Sequence, residues 1–324
     1  MKLKFRKQMA VVFGAIAMIS YISIRFFPTE ETVSVVSTTE EVNYLQVYMI
    51  DEEKTLVPLS VPISEELNVE DKISLLFSYM SGKQEIKGFL PLFEKECILQ
   101  ASSVKDGTVS LYFDDTFLNY KKENELRVLE AITWGVSQFH DIKQVELYVN
   151  DQRLSKMPMA NTPIPDVLSR DIGINHFETS TSSLHDSDSL TVFYTKQIQG
   201  NMYMVPKSKR VNRSDQDDIK TKIDQILSDI CVSSSLKQPL SEESIQVKDY
   251  KIQDGTIMID LNSQILSSNQ SVKQDVYNSL VLSLSLISGI EKIDVRIDGV
   301  SIGLSADGEE PVSVYSLYYN EIQF

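Results

Sequence analysis

The chain has 324 residues, 42% of them apolar, which suits about two packed domains and rules out global disorder. Its formal net charge is −15. A body that acidic repels phosphate backbones and anionic headgroups, so nucleic-acid binding and electrostatic docking on lipid are excluded.

The charge is uneven. Lys2, Lys4, Arg6, Lys7 and Arg25 give residues 1–25 a charge of +5 with no acid, so the rest must carry −20. Four of these cations precede an uncharged run from Met9 to Ile24. As a helix that run spans about 24 Å, short for a bilayer core but workable with local thinning and a snorkelling Arg25. Basic residues ahead of the run place the N-terminus in the cytoplasm and the body outside. The competing reading, a cleaved signal peptide, needs a small-residue site after the apolar run, where Arg25-Phe26-Phe27-Pro28 stands instead. No cysteine occurs in or just after the run, which excludes a lipid-modified cysteine anchor. Residues 1–28 therefore read as a basic end plus an uncleaved transmembrane anchor through residues 9–24. Residues 29–42, rich in Thr, Ser, Glu and Val, read as a spacer.

The remainder repeats. Asp106-Gly107-Thr108-Val109 through Asp114 returns as Asp254-Gly255-Thr256-Ile257 through Asn262, 148 positions later. The apolar phase holds through Phe117 and Ile265, Val128 and Val276, Ile132 and Leu280, to Val145 and Ile293. Phase is seldom kept by chance across elements of different period. The openings agree as well, with Leu45-Gln46-Val47-Tyr48 resembling Leu190-Thr191-Val192-Phe193.

Each copy predicts the same elements. A strand (about 44–50 and 189–196) is followed by a short second strand (about 55–59 and 202–206). An amphipathic helix comes next, marked by Ile73, Leu76, Phe77 and Met80 in one copy and Ile223, Ile226, Leu227 and Ile230 in the other. Asn68 with Asp71, and Ser214 with Asp217, have capping spacing. Then come two strands joined by an Asp-Gly turn, where glycine tolerates the positive φ a tight hairpin requires. A second helix (about 122–139 and 270–287, with Gly289 placed to end the latter) leads to a closing strand. The fold class is α+β, each copy a mixed sheet with two helices on one face. Residues 156–188 read as a linker between repeats at 43–155 and 189–304. The tail, 305–324, is too apolar to be free, and reads as an added edge strand or a partner-binding segment.

These residues resemble GerMN domains, modules of sporulation and spore germination proteins. Thr55-Leu56-Val57-Pro58 and Met204-Val205-Pro206 match the family's opening phrase. Ser81-Gly82 and Gly88-Phe89-Leu90-Pro91 match its middle, and Gly289-Ile290 through Asp298-Gly299 its close. Copy one ends in Asn150-Asp151 where the family has Asp-Gly, and copy two lacks the Gly-Leu…Pro phrase. The resemblance implies an extracytoplasmic role in sporulation or germination. It also implies envelope-protein partners, a ring- or channel-forming complex among them, and no catalytic residues.

The search for chemistry finds no nucleophile elbow, Walker loop or HExxH. His140, His176 and His185 are far apart, and Cys97 and Cys231 form no C-x-x-C pair, so zinc spacing is absent. The two cysteines read as buried thiols, or as a disulfide if the body is outside. Asp114-Asp115 reads as a strand-end turn rather than a carboxylate pair. Asp186-Ser187-Asp188 reads as solvated linker rather than a calcium loop. His140 reads as a helix-end cation. Trp134 reads as a packing residue rather than a sugar platform. Lys207, Lys209, Arg210 and Arg213 read as a solvated basic loop rather than a contact for an anionic polymer. No catalytic, cofactor or metal site is expected. The function this supports is a scaffold, with a peptidoglycan- or germinant-binding module as the rival.

Overall fold

A computed structural model describes residues 43–63, 67–94, 97–176, 187–212, 219–233, 245–268, 271–302, 311–314 and 317–322. The expected anchor and spacer lie outside the described residues. Among the described residues no helix is long and apolar enough to cross a membrane.

Repeat 1 opens with β1 (Asn43–Ile50) and β2 (Leu56–Ile63), an antiparallel hairpin. Helix α1 (Val69–Met80) begins where the Asn68 side chain accepts the Asp71 N–H at 2.8 Å, the cap its sequence predicts. Strands β3 (Leu99–Lys105) and β4 (Thr108–Phe113) meet at Asp106-Gly107, whose φ values of 50° and 79° are the left-handed pair such a turn demands. Helix α2 (Glu125–Val136) then crosses back to β5 (Gln144–Val149), which pairs parallel with β4, and a stub, β6 (Gln152–Arg153), completes the sheet.

Repeat 2 repeats the plan. β7 (Ser187–Ile198) and β8 (Asn201–Asn212) form the hairpin, longer than the sequence suggests, and α3 (Ile219–Ser233) follows. Strands β9 (Val247–Gln253), β10 (Thr256–Leu261), β11 (Lys292–Ile297) and β12 (Val300–Ser301) make the second mixed sheet around α4 (Gln274–Leu284). Registers coincide: Val109 faces Val145 and Ile257 faces Ile293, each pair 148 positions from the other. Helix α4 stops at Leu284, and a run of tight turns separates it from Gly289 at φ 84°.

The hairpins are not strands of the mixed sheets. Each is a sheet of its own. Helices α1 and α2 touch β1 on one side and the mixed sheet on the other, so repeat 1 is layered hairpin, helices, sheet. Strand β4 alternates buried and half-buried residues as a one-faced strand should, whereas Leu56–Val61 of β2 is buried at every position. Each repeat has its own core. That of repeat 1 also takes in Ile198 and Val205 from the second hairpin.

The stretch read as a linker is packed over its described part. Met157, Leu168 and Ile174 are buried, and Leu168 bridges to Val145. In the tail, β13 (Val312–Ser313) joins β11, and residues 317–322 continue onto the hairpin of repeat 1. Both repeats belong to one compact unit.

Candidate functional site: the seam and cleft between the repeats

Strands β2 and β8 lie side by side, and a side-chain clip takes the place of a strand ladder. Asn175, in the segment closing repeat 1, accepts the Leu56 N–H at 2.8 Å. Its amide donates to Leu56 O at 2.7 Å and to Pro206 O at 2.9 Å. Asn320, in the segment closing repeat 2, accepts the Met204 N–H at 2.7 Å and donates to Met204 O at 2.8 Å and Pro58 O at 2.7 Å. Leu56 and Met204 are repeat equivalents, as are Pro58 and Pro206. Each asparagine thus holds its own repeat by two bonds and the other by one, around a pseudo-twofold axis. Both are buried, and both have positive φ, 52° and 57°. Asparagine suits the position twice over, tolerating that backbone and carrying donor and acceptor on one short amide.

The prolines fit the same logic. Proline has no N–H for a ladder, but its carbonyl still accepts, and here the donor is a side chain. Neighbouring bonds extend the seam. Ser208 N donates to Ile174 O at 2.8 Å, Ile174 N to Ser208 Oγ at 2.9 Å, and Ser60 Oγ to Tyr319 O at 2.7 Å. Gly173, at φ 78°, makes room for the first clip, because a Cβ there would sit 2.1 Å from His176 Cε1.

Charges back the clips. Buried Glu130 receives Arg127 Nη1 at 2.6 Å, the Asn175 N–H at 3.2 Å and His176 Nδ1 at 3.2 Å. Lys196 of repeat 2 reaches Asp51 at 2.6 Å and Glu53 at 2.9 Å in repeat 1. Burial opposes charge on Lys196, yet bonds to Asp51 and Glu53 leave its pKa raised overall.

On one side of the seam a cleft of about 950 Å³ opens between the repeats. Its walls carry Trp134, Arg170, Tyr48, Tyr318 and Tyr319 together with the end of α2 and the turns after α4. Trp134 is only 2% exposed; its Nε1 donates to Gly173 O at 2.9 Å, and the Arg170 guanidinium lies 4.7 Å over its ring. Desolvation raises the pKa of buried Tyr48 and, further, of Tyr319, with Arg170 partly offsetting both.

The other singled-out residues have structural surroundings. Asp114 caps a 3₁₀ turn by accepting the Thr116 N–H at 2.9 Å and the Thr116 hydroxyl; these bonds hold its carboxyl below the usual range. Asp115 accepts from Asn150 Nδ2 at 2.7 Å. Lys207, Lys209 and Arg210 are on strand β8 rather than in a loop, because the hairpin extends to Asn212. Lys209 pairs with Asp229 at 2.5 Å, and Arg210 lines the cleft with His140. Cys97 is a buried free thiol, pushed up to about 12 by burial. The side chains of Cys231 and Asp188, and all of His185, Asp186 and Arg213, lie outside the described residues. Among the described residues no three His, Cys, Asp or Glu side chains assemble a metal site.

Sequence reading missed Asn175 and Asn320. The available signal was spacing: they are 145 positions apart, as are Leu45 and Leu190.

Comparison with known proteins places this architecture. The family model "Germane: Sporulation and spore germination" matches residues 46–155 and 191–303. The chain is 32% identical over 278 residues to the spore germination protein GerM of Bacillus subtilis (strain 168), covering 83% of this chain and 76% of that one. The solved tandem GerMN domains of the sporulation protein GerM from Bacillus subtilis superpose with a TM-score of 0.72 at 29% identity, over 85% of this chain and 99% of theirs.

Proposed function

The chain belongs to the Germane family of sporulation and spore germination proteins, and on that premise we propose that it is a non-enzymatic scaffold that holds envelope proteins together outside the membrane. The observation that supports this reading most is the seam. Both closing segments of the chain are committed to locking two repeats into one body. Strands β3 and β9 are left at the ends of their sheets with mostly exposed residues. Such edges offer backbone groups to a partner. A ring- or channel-forming sporulation complex is the partner class, and residues 9–24 are the anchor.

The test is deletion of the gene, with heat-resistant spores and their germination counted. A sharp drop supports the scaffold; normal counts with normal germination overturn it. A second reading, a peptidoglycan- or germinant-binding module, draws on the cleft and the aromatic residues in its walls. Cosedimentation with purified peptidoglycan decides for or against the wall-binding form of it.

A further inference from the structure

We propose that the cleft between the repeats binds an acidic, partly apolar peptide segment of a partner protein. The inference rests on the scaffold reading and adds the chemistry of what the scaffold holds.

Charge carries the argument. In a chain of net charge −15, the described residues lining the cleft include Lys72, Arg170, Arg210 and Lys222, and only one carboxylate, Asp171. Lys72 and Lys222 are the fourth residues of α1 and α3, so the pseudo-twofold axis brings one lysine from each repeat to the same cleft. Arg170 is fixed in place, its Nε donating to Ser137 Oγ at 2.8 Å while its plane rests on Trp134. Neither Lys72 nor Arg170 has a carboxylate partner among the described residues. Lys72 and Arg170, half-buried and without a carboxylate beside them, carry a desolvation cost that an anionic ligand would relieve.

The rest of the lining selects the class of anion. Ile63, Phe139, Leu286 and Val314 are only partly buried and line the same space, so the ligand meets apolar surface beside the cations. A sugar chain would need an open aromatic face to stack on. Trp134 has its ring under Arg170, and the Tyr44 ring packs against Tyr318 at 4.8 Å. At about 950 Å³ the space is at the top of the range for small-molecule pockets, roughly 300–1,000 Å³, and suits a stretch of polypeptide.

The full chain in mild detergent is titrated into a fluorescein-labelled peptide of glutamate, valine and serine, with anisotropy as the readout. Peptides carrying glutamine or lysine in place of glutamate are the controls. The glutamate peptide is expected to bind, more weakly as salt rises, and the control peptides to fail. The double variant Lys72→Glu/Lys222→Glu should lose at least about tenfold in affinity with its urea midpoint unchanged. If reversal lowers the midpoint, Lys72→Gln/Lys222→Gln gives the same comparison more gently. Binding that ignores peptide charge or survives both double variants overturns the proposal. So does the absence of peptide binding where peptidoglycan fragments bind in a Lys72- and Lys222-dependent way, which would make the ligand a glycan. The gene deletion keeps the two ideas apart: a sporulation defect without peptide binding removes the cleft inference and leaves the scaffold standing.

Discussion

Asn320 and Asn175 show how much one short side chain can hold. Each satisfies an N–H and two carbonyls in a buried seam, so truncation leaves three polar groups without partners. A buried polar group left unpaired costs about 1–3 kcal/mol. Asn320→Ala should therefore destabilise by about 3 kcal/mol in urea unfolding. Asn320→Gly, which relieves the φ of 57° but not the lost bonds, should recover less than about 1 kcal/mol of that. Full recovery in the glycine variant would mean backbone strain, rather than the clip, sets the cost. Glu125 is a second case. Burial pushes its pKa up, but N–H bonds from Thr162 and Ala160 and the Tyr120 hydroxyl outweigh this and bring it to about 2. A carboxylate depressed from 4.5 stabilises the fold fully above about pH 5 and loses that contribution as pH falls towards 2. Wild type should exceed Glu125→Gln by about 2–3 kcal/mol at pH 7, and the gap should shrink at pH 3; a gap independent of pH would disprove the depressed carboxylate.

At the scale of elements, α1 and α2 approach so closely that a side chain is excluded. A Cβ on Gly135 would sit 2.8 Å from Leu76 Cδ2, and Leu76 is fully buried. Glycine in a helix interior normally gives up about 1 kcal/mol relative to alanine. Gly135→Ala should nonetheless destabilise, by about 1 kcal/mol, because the buried Leu76 side chain must shift within the core to admit the methyl. Combined with Leu76→Val the alanine should cost less than it does alone, a coupling that a double-mutant cycle in urea would read; strict additivity would place the constraint elsewhere. The helices, the Asp-Gly hairpins and the closing strands were legible in the sequence because their signals are local: a 3.6-residue apolar period, a turn dipeptide, an alternation. Strand β2 was only half legible. Its run Leu56–Val61 is buried on both faces, and the strand lies beside β8 of the other repeat, a contact that no local pattern reports. The stretch after β6 looked like a linker for the same reason, its Pro and Asn residues being turn formers whose packing is set from a distance.

For the whole molecule, the seam predicts that the repeats unfold together. The core of repeat 1 includes Ile198 and Val205 from repeat 2, and the tail of repeat 2 bonds to Ser60 of repeat 1. Trp134 is the only tryptophan and reports on repeat 1, whereas far-ultraviolet circular dichroism reports on both. The two signals should give one coincident urea transition in the wild type and separate transitions in Asn175→Ala/Asn320→Ala. Separate transitions in the wild type would show that the repeats are merely tethered.

The two α+β repeats, their order of elements and their turns were readable in the chain itself, because helix and strand periods and turn dipeptides are local and recur in phase 148 positions later, and the family was readable from the motifs that the repeats carry. The positively lined cleft and the asparagine clips came only with the tertiary structure. These features arise where residues of the two repeats, such as Asn320 and Pro58, meet across a pseudo-twofold axis, and the geometry of that meeting depends on how two finished domains pack.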